Sequence, residues 1–168
     1  GATDISIKGS DKAEAVTFTK GGRKHIVGCD TVFLHHGVVP NTQAARTLGV
    51  SHSWDAGQSC FVPSVDDWGQ SDVPGVFVAG DGAGIGGAKA AEVAGRLAAL
   101  KLAEDLGRLT VSQRNQYATP LRTALARELA ARPFLDMAYP PYAHAVSPAD
   151  TTVICRCEEV TAGDIRGY

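Results

Sequence analysis

A glycine-rich run near the middle of the chain, VFVAGDGAGIGG at residues 76–87, combines small residues with one carboxylate. The apolar segment Val76–Ala79 predicts a strand, and Asp81 follows its end. Small residues let backbone N–H groups approach a ligand, and the start of the next helix offers partial positive charge. A carboxylate there can accept hydrogen bonds from sugar-like hydroxyls. The run therefore predicts a nucleotide site around Asp81, formed with Gly80, Gly82, Gly84, Gly86, Gly87 and Ala88.

The same run has a second interpretation, a tight strand-to-helix connection that packs closely and binds nothing. The letters GAGIGG depart from the dinucleotide fingerprint GxGxxG. No acidic residue stands about 20 positions further on at the end of another strand, as that fingerprint requires. The run is therefore not expected to hold an ADP group itself.

A pair of cysteines, Cys155 and Cys157, is separated by one residue in CRCEEVT. Two thiolates at this spacing can point at one metal or cluster, yet they fill only half of a four-sulfur shell. Free structural thiols are the alternative, and the absence of a CxxC spacing disfavours a thioredoxin-like dithiol. Cys29 and Cys60 stand alone and are interpreted as small buried residues.

Strands are predicted mainly in the first third of the chain. Residues 3–35 alternate apolar and polar side chains, with a hairpin turn at Lys20–Arg23. Asp30–His36 is a nearly continuous apolar run that suits a buried central strand. The predicted shorter elements are a helix at 42–50, a strand at Cys60–Val62, the strand Val76–Ala79 and a strand at Thr151–Ile154.

Helices are predicted in the second half. Ala88–Leu106 has two apolar faces, one with Ala91, Gly95, Ala98 and Leu102 and one with Val93, Leu97 and Leu100, so we expect it to pack between layers. Ser112–Ala131 predicts a second helical region that breaks or restarts at Thr119-Pro120. Residues 132–150 predict a proline-rich linker with a short turn at Phe134–Ala138.

The segment PGVFVAGDGAGIGGAKAAEVAGRLAALKLAEDLG resembles the second flavin-binding motif of the FAD/NAD(P)-dependent pyridine-nucleotide oxidoreductase superfamily. In that family the Asp of the AGD element contacts the ribityl chain of FAD, and the following helix start faces the flavin. The resemblance implies these roles for Asp81 and for Gly86-Gly87-Ala88. Upstream, CDTVFLHHGVVPN resembles the segment where the NAD domain returns the chain to the FAD domain. His35-His36-Gly37 replaces a common TG there, so both histidines are interpreted as packing or surface residues.

The C-terminal segment CRCEEVTAGDIR is similar to the start of a small ferredoxin-like 2Fe–2S module. In that module CxC supplies two cluster ligands and a later cysteine pair supplies the others. The resemblance implies that Cys155 and Cys157 are ligands in a longer parent protein. Because the sequence stops at Tyr168, before a second pair, we expect a fragment that cannot close a normal cluster alone.

The order of these segments resembles the A or alpha subunits of bacterial opine oxidase, hydrogen cyanide synthase, hydroxyproline dehydrogenase and heterotetrameric sarcosine oxidase. The resemblance implies oxidation of a secondary amine or opine-type substrate, with electrons passed through FAD and a 2Fe–2S centre. It also implies a second, B- or beta-type subunit, and NAD(P) or FMN as further cofactors. We expect the fragment itself to be inactive. The alternative is a stand-alone nucleotide-binding or subunit-interaction module.

Composition is that of an ordinary globular protein, with 168 residues, 44% hydrophobic content and a net charge of −2. This charge gives no indication of a nucleic-acid partner, and no apolar run is long enough for a membrane span. The N-terminal residues show no signal-peptide pattern, and four cysteines, too sparse for a disulfide scaffold, favour the cytoplasm. No catalytic Ser/His/Asp order, HExxH or P-loop is present, so no catalytic residue is predicted.

We therefore expect an α/β fold: a partial FAD/NAD(P)-binding domain with an antiparallel β region, a central strand, a long packed helix and a C-terminal helical and linker segment. Exposed strand edges would favour a homodimer. The predicted organisation is the end of an NAD-binding region at 1–41, part of an FAD domain at 42–131, the linker at 132–150 and the start of a 2Fe–2S module at 151–168.

Overall fold

The computed structural model describes residues 1–35, 37–141 and 147–168. His36 and residues 142–146 of the predicted linker lie outside the described residues. The chain divides into two compact units, Gly1–His36 and Gly37–Tyr168. None of the helices in the described ranges is both long and apolar enough to cross a membrane.

The first unit is a three-stranded antiparallel sheet in the order β1-β2-β3, which confirms the predicted antiparallel β region. The strands are β1 (Thr3–Lys8), β2 (Ala15–Lys20) and β3 (Arg23–Gly28). Lys20 pairs with Arg23, so the turn consists of Gly21 and Gly22. Their φ angles of 57° and 73° are those of a type I′ hairpin turn, which glycine adopts at low cost.

The prediction of a central strand at Asp30–His36 is wrong for residues 30–35, the part of this segment that the structure describes. Residues 30–35 form no strand, and Phe33 is 95% exposed. Val76–Ala79 is not a strand either, since only Phe77 pairs, in an isolated bridge with Gln70. A buried parallel strand depends on neighbouring strands for its hydrogen bonds and its burial. Among the described residues no strand lies beside either segment, so apolar content alone produces no strand.

The second unit contains five helices, two hairpins and a 3₁₀ turn within its described residues. Its helices are α1 (Gln43–Thr47), α2 (Ala88–Asp105), α3 (Val111–Leu129), α4 (Arg132–Ala138) and α5 (Ala162–Arg166). The hairpins are β4 (His52–Asp55) with β5 (Cys60–Pro63), and β6 (Val153–Cys155) with β7 (Val160–Thr161). The 3₁₀ turn is Gly80–Gly82. The mixture of helices and strands agrees with the α/β class.

Several predicted elements are confirmed, including the short helix near 42–50, the strand at Cys60 and the long helix from Ala88. The predicted turn at Phe134–Ala138 is part of helix α4. Strand β6 begins two residues after the predicted start at Thr151. Strand β4 was not predicted, because the glycines and prolines of residues 51–75 indicated a loop.

The predicted break at Thr119-Pro120 is wrong, because α3 runs without interruption and contains Pro120. The helix begins at Thr110, whose hydroxyl accepts a hydrogen bond from the Gln113 N–H at 3.2 Å while the Gln113 side chain accepts one from the Thr110 N–H at 2.9 Å. This capping box supplies the start that we assigned to Thr119. The packing of Ala118 and Leu121, on both sides of Pro120, offsets the hydrogen bond that proline cannot donate.

The core of the second unit lies between α2 and α3. Val93 and Leu97 of α2 pack against Ala118 and Leu121 of α3. Around them lie four partly buried residues, Trp68, Leu100, Ala124 and Leu125. The predicted apolar face of Val93, Leu97 and Leu100 is thus the packing face. The other predicted face is less covered, since Leu102 is 44% exposed, so among the described residues α2 packs mainly on one side.

Candidate functional site

Asp81 lies in the 3₁₀ turn, and its carboxylate caps the start of α2. Its Oδ1 accepts hydrogen bonds from the backbone N–H groups of Gly86 at 3.0 Å and of Gly87, the N-cap residue, at 2.8 Å. The negative charge lies at the helix end where it is electrostatically favourable. Its other oxygen, Oδ2, accepts no hydrogen bond among the described residues.

Gly80 brings the turn into direct contact with α2. Its φ is 71°, and a Cβ placed on it would lie 2.8 Å from the Cβ of Ala91. A side chain at this position would therefore be strained and would also collide with the helix. The 3₁₀ turn is therefore packed closely against the start of α2.

Gln58, in the loop that joins β4 and β5, also holds the glycine-rich loop through hydrogen bonds. The Gln58 amide Nε2 donates to the Ile85 carbonyl at 3.1 Å, and Oε1 accepts from the Ile85 N–H at 3.1 Å. Both ends of one side-chain amide are thus used on the backbone of one residue. Sequence analysis did not identify Gln58, because it stands 27 positions from Ile85.

The backbone donors along the loop divide into two groups. The five N–H groups from Ala83 to Gly87 all meet protein acceptors, which are the backbone oxygens of Gly80 and Asp81 and the side chains of Gln58 and Asp81. The N–H groups of Ala88–Ala90, in the first turn of α2, meet none among the described residues. Within residues 83–88, only Ala88 has an N–H group with no acceptor among the described residues.

A cavity of about 400 Å³ opens beside Asp81. Small and apolar side chains dominate its lining, which includes Gly80, Gly84, Ala90, Ala94, Leu125 and Leu129. Such a volume is at the lower end of the range for cofactor sites, roughly 300–1,000 Å³. The carboxylate of Asp81 and the start of α2 are its principal polar features on the glycine-rich side.

Trp68 also lines this cavity. The guanidinium groups of Arg114 and Arg122 each lie over its indole ring, at 4.4 and 4.5 Å from the ring centroid. Asp66 Oδ1 accepts a hydrogen bond from the backbone N–H of Trp68 at 2.8 Å, and this bond shapes the loop that carries the ring. Cation–π contacts with two arginines of α3 therefore hold the Trp68 side chain against that helix. Neither arginine was predicted to be near the site.

The two cysteines of CxC lie at the C-terminal hairpin. Cys155 ends strand β6 and is half-buried, whereas Cys157 is in the turn that follows and is exposed. Among residues 1–35, 37–141 and 147–168, no three His, Cys, Asp or Glu side chains come together as a metal site. The chain thus contributes two sulfur ligands at most from this hairpin.

Cys60 is buried, as the sequence predicts, and lies at the start of β5. Burial raises the pKa of its thiol above the ordinary value, and the carboxylates of Asp55 and Asp136 raise it further. A thiol with a raised pKa stays protonated at neutral pH and is a poor nucleophile. This supports the interpretation of Cys60 as a packing residue.

Comparison with known proteins shows the family of the chain. Residues 2–98, more than half of the chain, match the pyridine nucleotide-disulphide oxidoreductase family. The chain belongs to that family. The match includes the Asp81 turn and most of the helix that it caps, so the candidate site lies inside the family region. No solved structure is significantly similar to the chain.

Bacterial relatives match nearly the whole chain. The opine oxidase A subunit of Rhizobium meliloti is 42% identical over 99% of this chain and 32% of its own length. The opine oxidase A subunit of Agrobacterium tumefaciens (strain Ach5) is 41% identical over 99% of this chain and 33% of its own length. The hydrogen cyanide synthase subunit HcnB of Pseudomonas protegens is 34% identical over 83% of this chain and 30% of its own length. The chain spans about a third of the length of these relatives.

Proposed function

We propose that this chain supplies the second, flavin-facing half of a split FAD site in an oxidoreductase subunit. The observation that carries the proposal is the row of unpaired N–H groups at Ala88–Ala90 in the described part of the chain, next to the Asp81 carboxylate and the cavity. Donors at a helix N-terminus suit the carbonyl oxygens of a flavin ring. Asp81 Oδ2 is placed to accept a hydrogen bond from a ribityl hydroxyl. The residues present therefore fit the cofactor that the family uses.

These groups indicate what the flavin and the protein would each contribute. The flavin, when bound, supplies the hydride or electron transfer, and the protein supplies binding, orientation and electrostatics. In this chain Asp81 and Gly86-Gly87-Ala88 would orient the cofactor, with Gly80, Gly82 and Gly84 keeping the backbone close to it. Partial positive charge at the start of α2 would favour a reduced, negatively charged flavin.

The substrate is proposed to be a secondary amine or an opine-type compound. Support comes from the opine oxidase A subunits, which align with 99% of the chain. Because these relatives are subunits, we propose a partner of the B or beta type that oxidises the substrate. Electrons would then pass through FAD and a 2Fe–2S centre with Cys155 and Cys157 as two of its ligands. We propose a cytoplasmic location for the complex.

The proposed organisation keeps the boundaries expected from the sequence. Residues 1–41 would end an NAD-binding region, 42–131 would complete an FAD domain, 132–150 would link, and 151–168 would begin the 2Fe–2S module. Because the chain spans about a third of its relatives, we propose that it functions inside a longer subunit.

Flavin binding tests the proposal directly. The 168-residue chain and the longer subunit would each be incubated with FAD, freed of unbound cofactor by gel filtration and examined for visible flavin absorbance. We expect a stoichiometric flavin on the longer subunit, with none on the chain alone. Absence of flavin from the longer subunit would contradict the proposal. Stoichiometric flavin on the chain alone would instead support a stand-alone nucleotide-binding module.

A further inference from the structure

We propose that Gln58 is a positioning residue of the flavin site, which holds Ile85 so that the first turn of α2, and not the loop before it, presents its N–H groups to the cofactor. This inference rests on the proposed function. Gln58 itself would not touch the cofactor; it would act through the backbone of Ile85.

The contact has the form of a short β bridge made by a side chain. Ile85 presents an N–H and a carbonyl, and the Gln58 amide meets both at 3.1 Å. Only a group with a donor and an acceptor side by side can satisfy both. Glutamate lacks the donor at neutral pH, and methionine has neither a strong donor nor a strong acceptor. The geometry therefore selects glutamine at this position.

Gln58 is itself held in place. Asp55 Oδ1 accepts hydrogen bonds from the N–H groups of Gly57 at 2.8 Å and Gln58 at 2.9 Å. Asp55 ends strand β4, and Cys60, which begins β5, is buried. The hairpin thus fixes the backbone from which Gln58 reaches Ile85. A fixed starting point lowers the entropy lost when the side chain is ordered.

The consequence concerns which donors remain for a ligand. The Gln58 side chain accepts the hydrogen bond of the Ile85 N–H, and Asp81 accepts those of the Gly86 and Gly87 N–H groups. Without the Gln58 contact, the Ile85 peptide could rotate and offer its own N–H in competition with Ala88–Ala90. The contact removes that alternative arrangement, so the site is preorganised before the cofactor arrives.

Three variants separate this role from a general effect on folding. Gln58→Met keeps the length of the side chain and removes both hydrogen bonds, and Gln58→Glu keeps the acceptor but adds a negative charge. Gln116→Met is the matched control, because Gln116 is exposed on α3 and its side chain makes no hydrogen bond among the described residues. Exchange of the Ile85 amide would be followed by NMR in the 168-residue chain without flavin. FAD affinity and the flavin reduction potential would be measured in the longer subunit.

We expect Gln58→Met to accelerate exchange at Ile85 and to weaken FAD binding about tenfold, the effect of one to two neutral hydrogen bonds. Gln58→Glu should retain slow exchange at Ile85 yet lower the reduction potential, since a nearby carboxylate disfavours a reduced, anionic flavin. Gln116→Met should change none of these quantities. A purely structural role would alter unfolding without a shift in potential.

Two results would overturn the inference. In the first, Gln58→Met and Gln116→Met give the same exchange at Ile85, which means that the contact does not hold the loop. In the second, exchange accelerates but FAD affinity and potential stay at the wild-type values, which means that the contact does not serve the cofactor. A wild-type subunit that holds no flavin would contradict the proposed function itself, and the exchange measurement would still report on the Gln58–Ile85 contact.

Discussion

The carboxylate of Asp81 lies 2.8 Å from the backbone nitrogen of Gly87, the residue at which helix α2 begins. This contact joins a structural role to the proposed role in cofactor binding. One carboxylate oxygen stabilises the helix start, the other accepts no hydrogen bond among the described residues, and Asp81 lines the cavity. Substitutions at Asp81 should therefore separate stability from cofactor binding.

Asp81→Ala should lower the free energy of unfolding by about 1 kcal/mol, the usual cost of a lost helix cap. Asp81→Asn should cost less, because its amide oxygen can still accept the N–H groups of Gly86 and Gly87. Both variants should weaken FAD binding in the longer subunit. Urea unfolding and FAD titration are the measurements, with Asp11→Asn, at an exposed position of the first unit, as control. Unchanged FAD affinity in Asp81→Asn would contradict the functional half of this prediction.

Gly80→Ala should destabilise the second unit by about 2 kcal/mol or more, since alanine is strained at positive φ and its methyl would meet Ala91. Gly95→Ala is the matched control within α2. Its φ is not positive, and a Cβ there meets no atom within 4 Å. It should raise stability by about 0.5–1 kcal/mol through helix propensity. Thermal unfolding followed by circular dichroism compares the two, and equal melting temperatures would contradict the close contact at Gly80.

Leu97→Ala should be the most destabilising single truncation of α2, because Leu97 is 2% exposed at the centre of the core. Loss of a buried leucine side chain costs about 2–5 kcal/mol. Leu106→Ala, at a position that is 66% exposed, should cost less than about 0.5 kcal/mol. The two variants can be compared by urea unfolding monitored through the fluorescence of the two tryptophans, Trp54 and Trp68. Similar midpoints for both would mean that α2 does not pack on α3 as described.

The long helix α2 and the hairpin of β2 and β3 could be predicted from the sequence because their signals are local. The sequence also contains the capping-box pattern at Thr110 and Gln113, which marks the true start of α3 better than the Thr119-Pro120 pair does. The strands that we predicted at Asp30–His36 and Val76–Ala79 do not form in the described residues, because apolar content alone does not supply the neighbouring strands that they need. Gln58 could not be found at all, because its partner is distant along the chain and the contact uses only the backbone of Ile85.

Acid should loosen the C-terminal helix α5 through Asp164. The Thr161 N–H and hydroxyl both donate to the Asp164 carboxylate, at 2.8 and 2.7 Å, and hold its pKa below the ordinary value of 3.8. A lowered pKa in the folded state stabilises the fold above 3.8, and this contribution is lost as the pH falls through the folded-state pKa. NMR of the α5 amides between about pH 5 and pH 2 would follow the loss.

In the control variant Asp164→Asn, the amide oxygen can still accept the Thr161 hydrogen bonds and does not titrate. Its α5 amides should therefore show no transition attributable to position 164. An identical acid transition in both proteins would show that another group is responsible.

The central claim is that the first turn of α2 faces a flavin, and a paired proline substitution tests it most directly. Ala88→Pro removes one free N–H at the first helical position, where proline is well tolerated, and Val111→Pro makes the same change at the start of α3. FAD dissociation constants would be measured in the longer subunit. The account predicts about tenfold weaker binding for Ala88→Pro, the loss of one hydrogen bond and some dipole interaction, and wild-type binding for Val111→Pro. Equal affinity in both variants, each with wild-type stability, would contradict it.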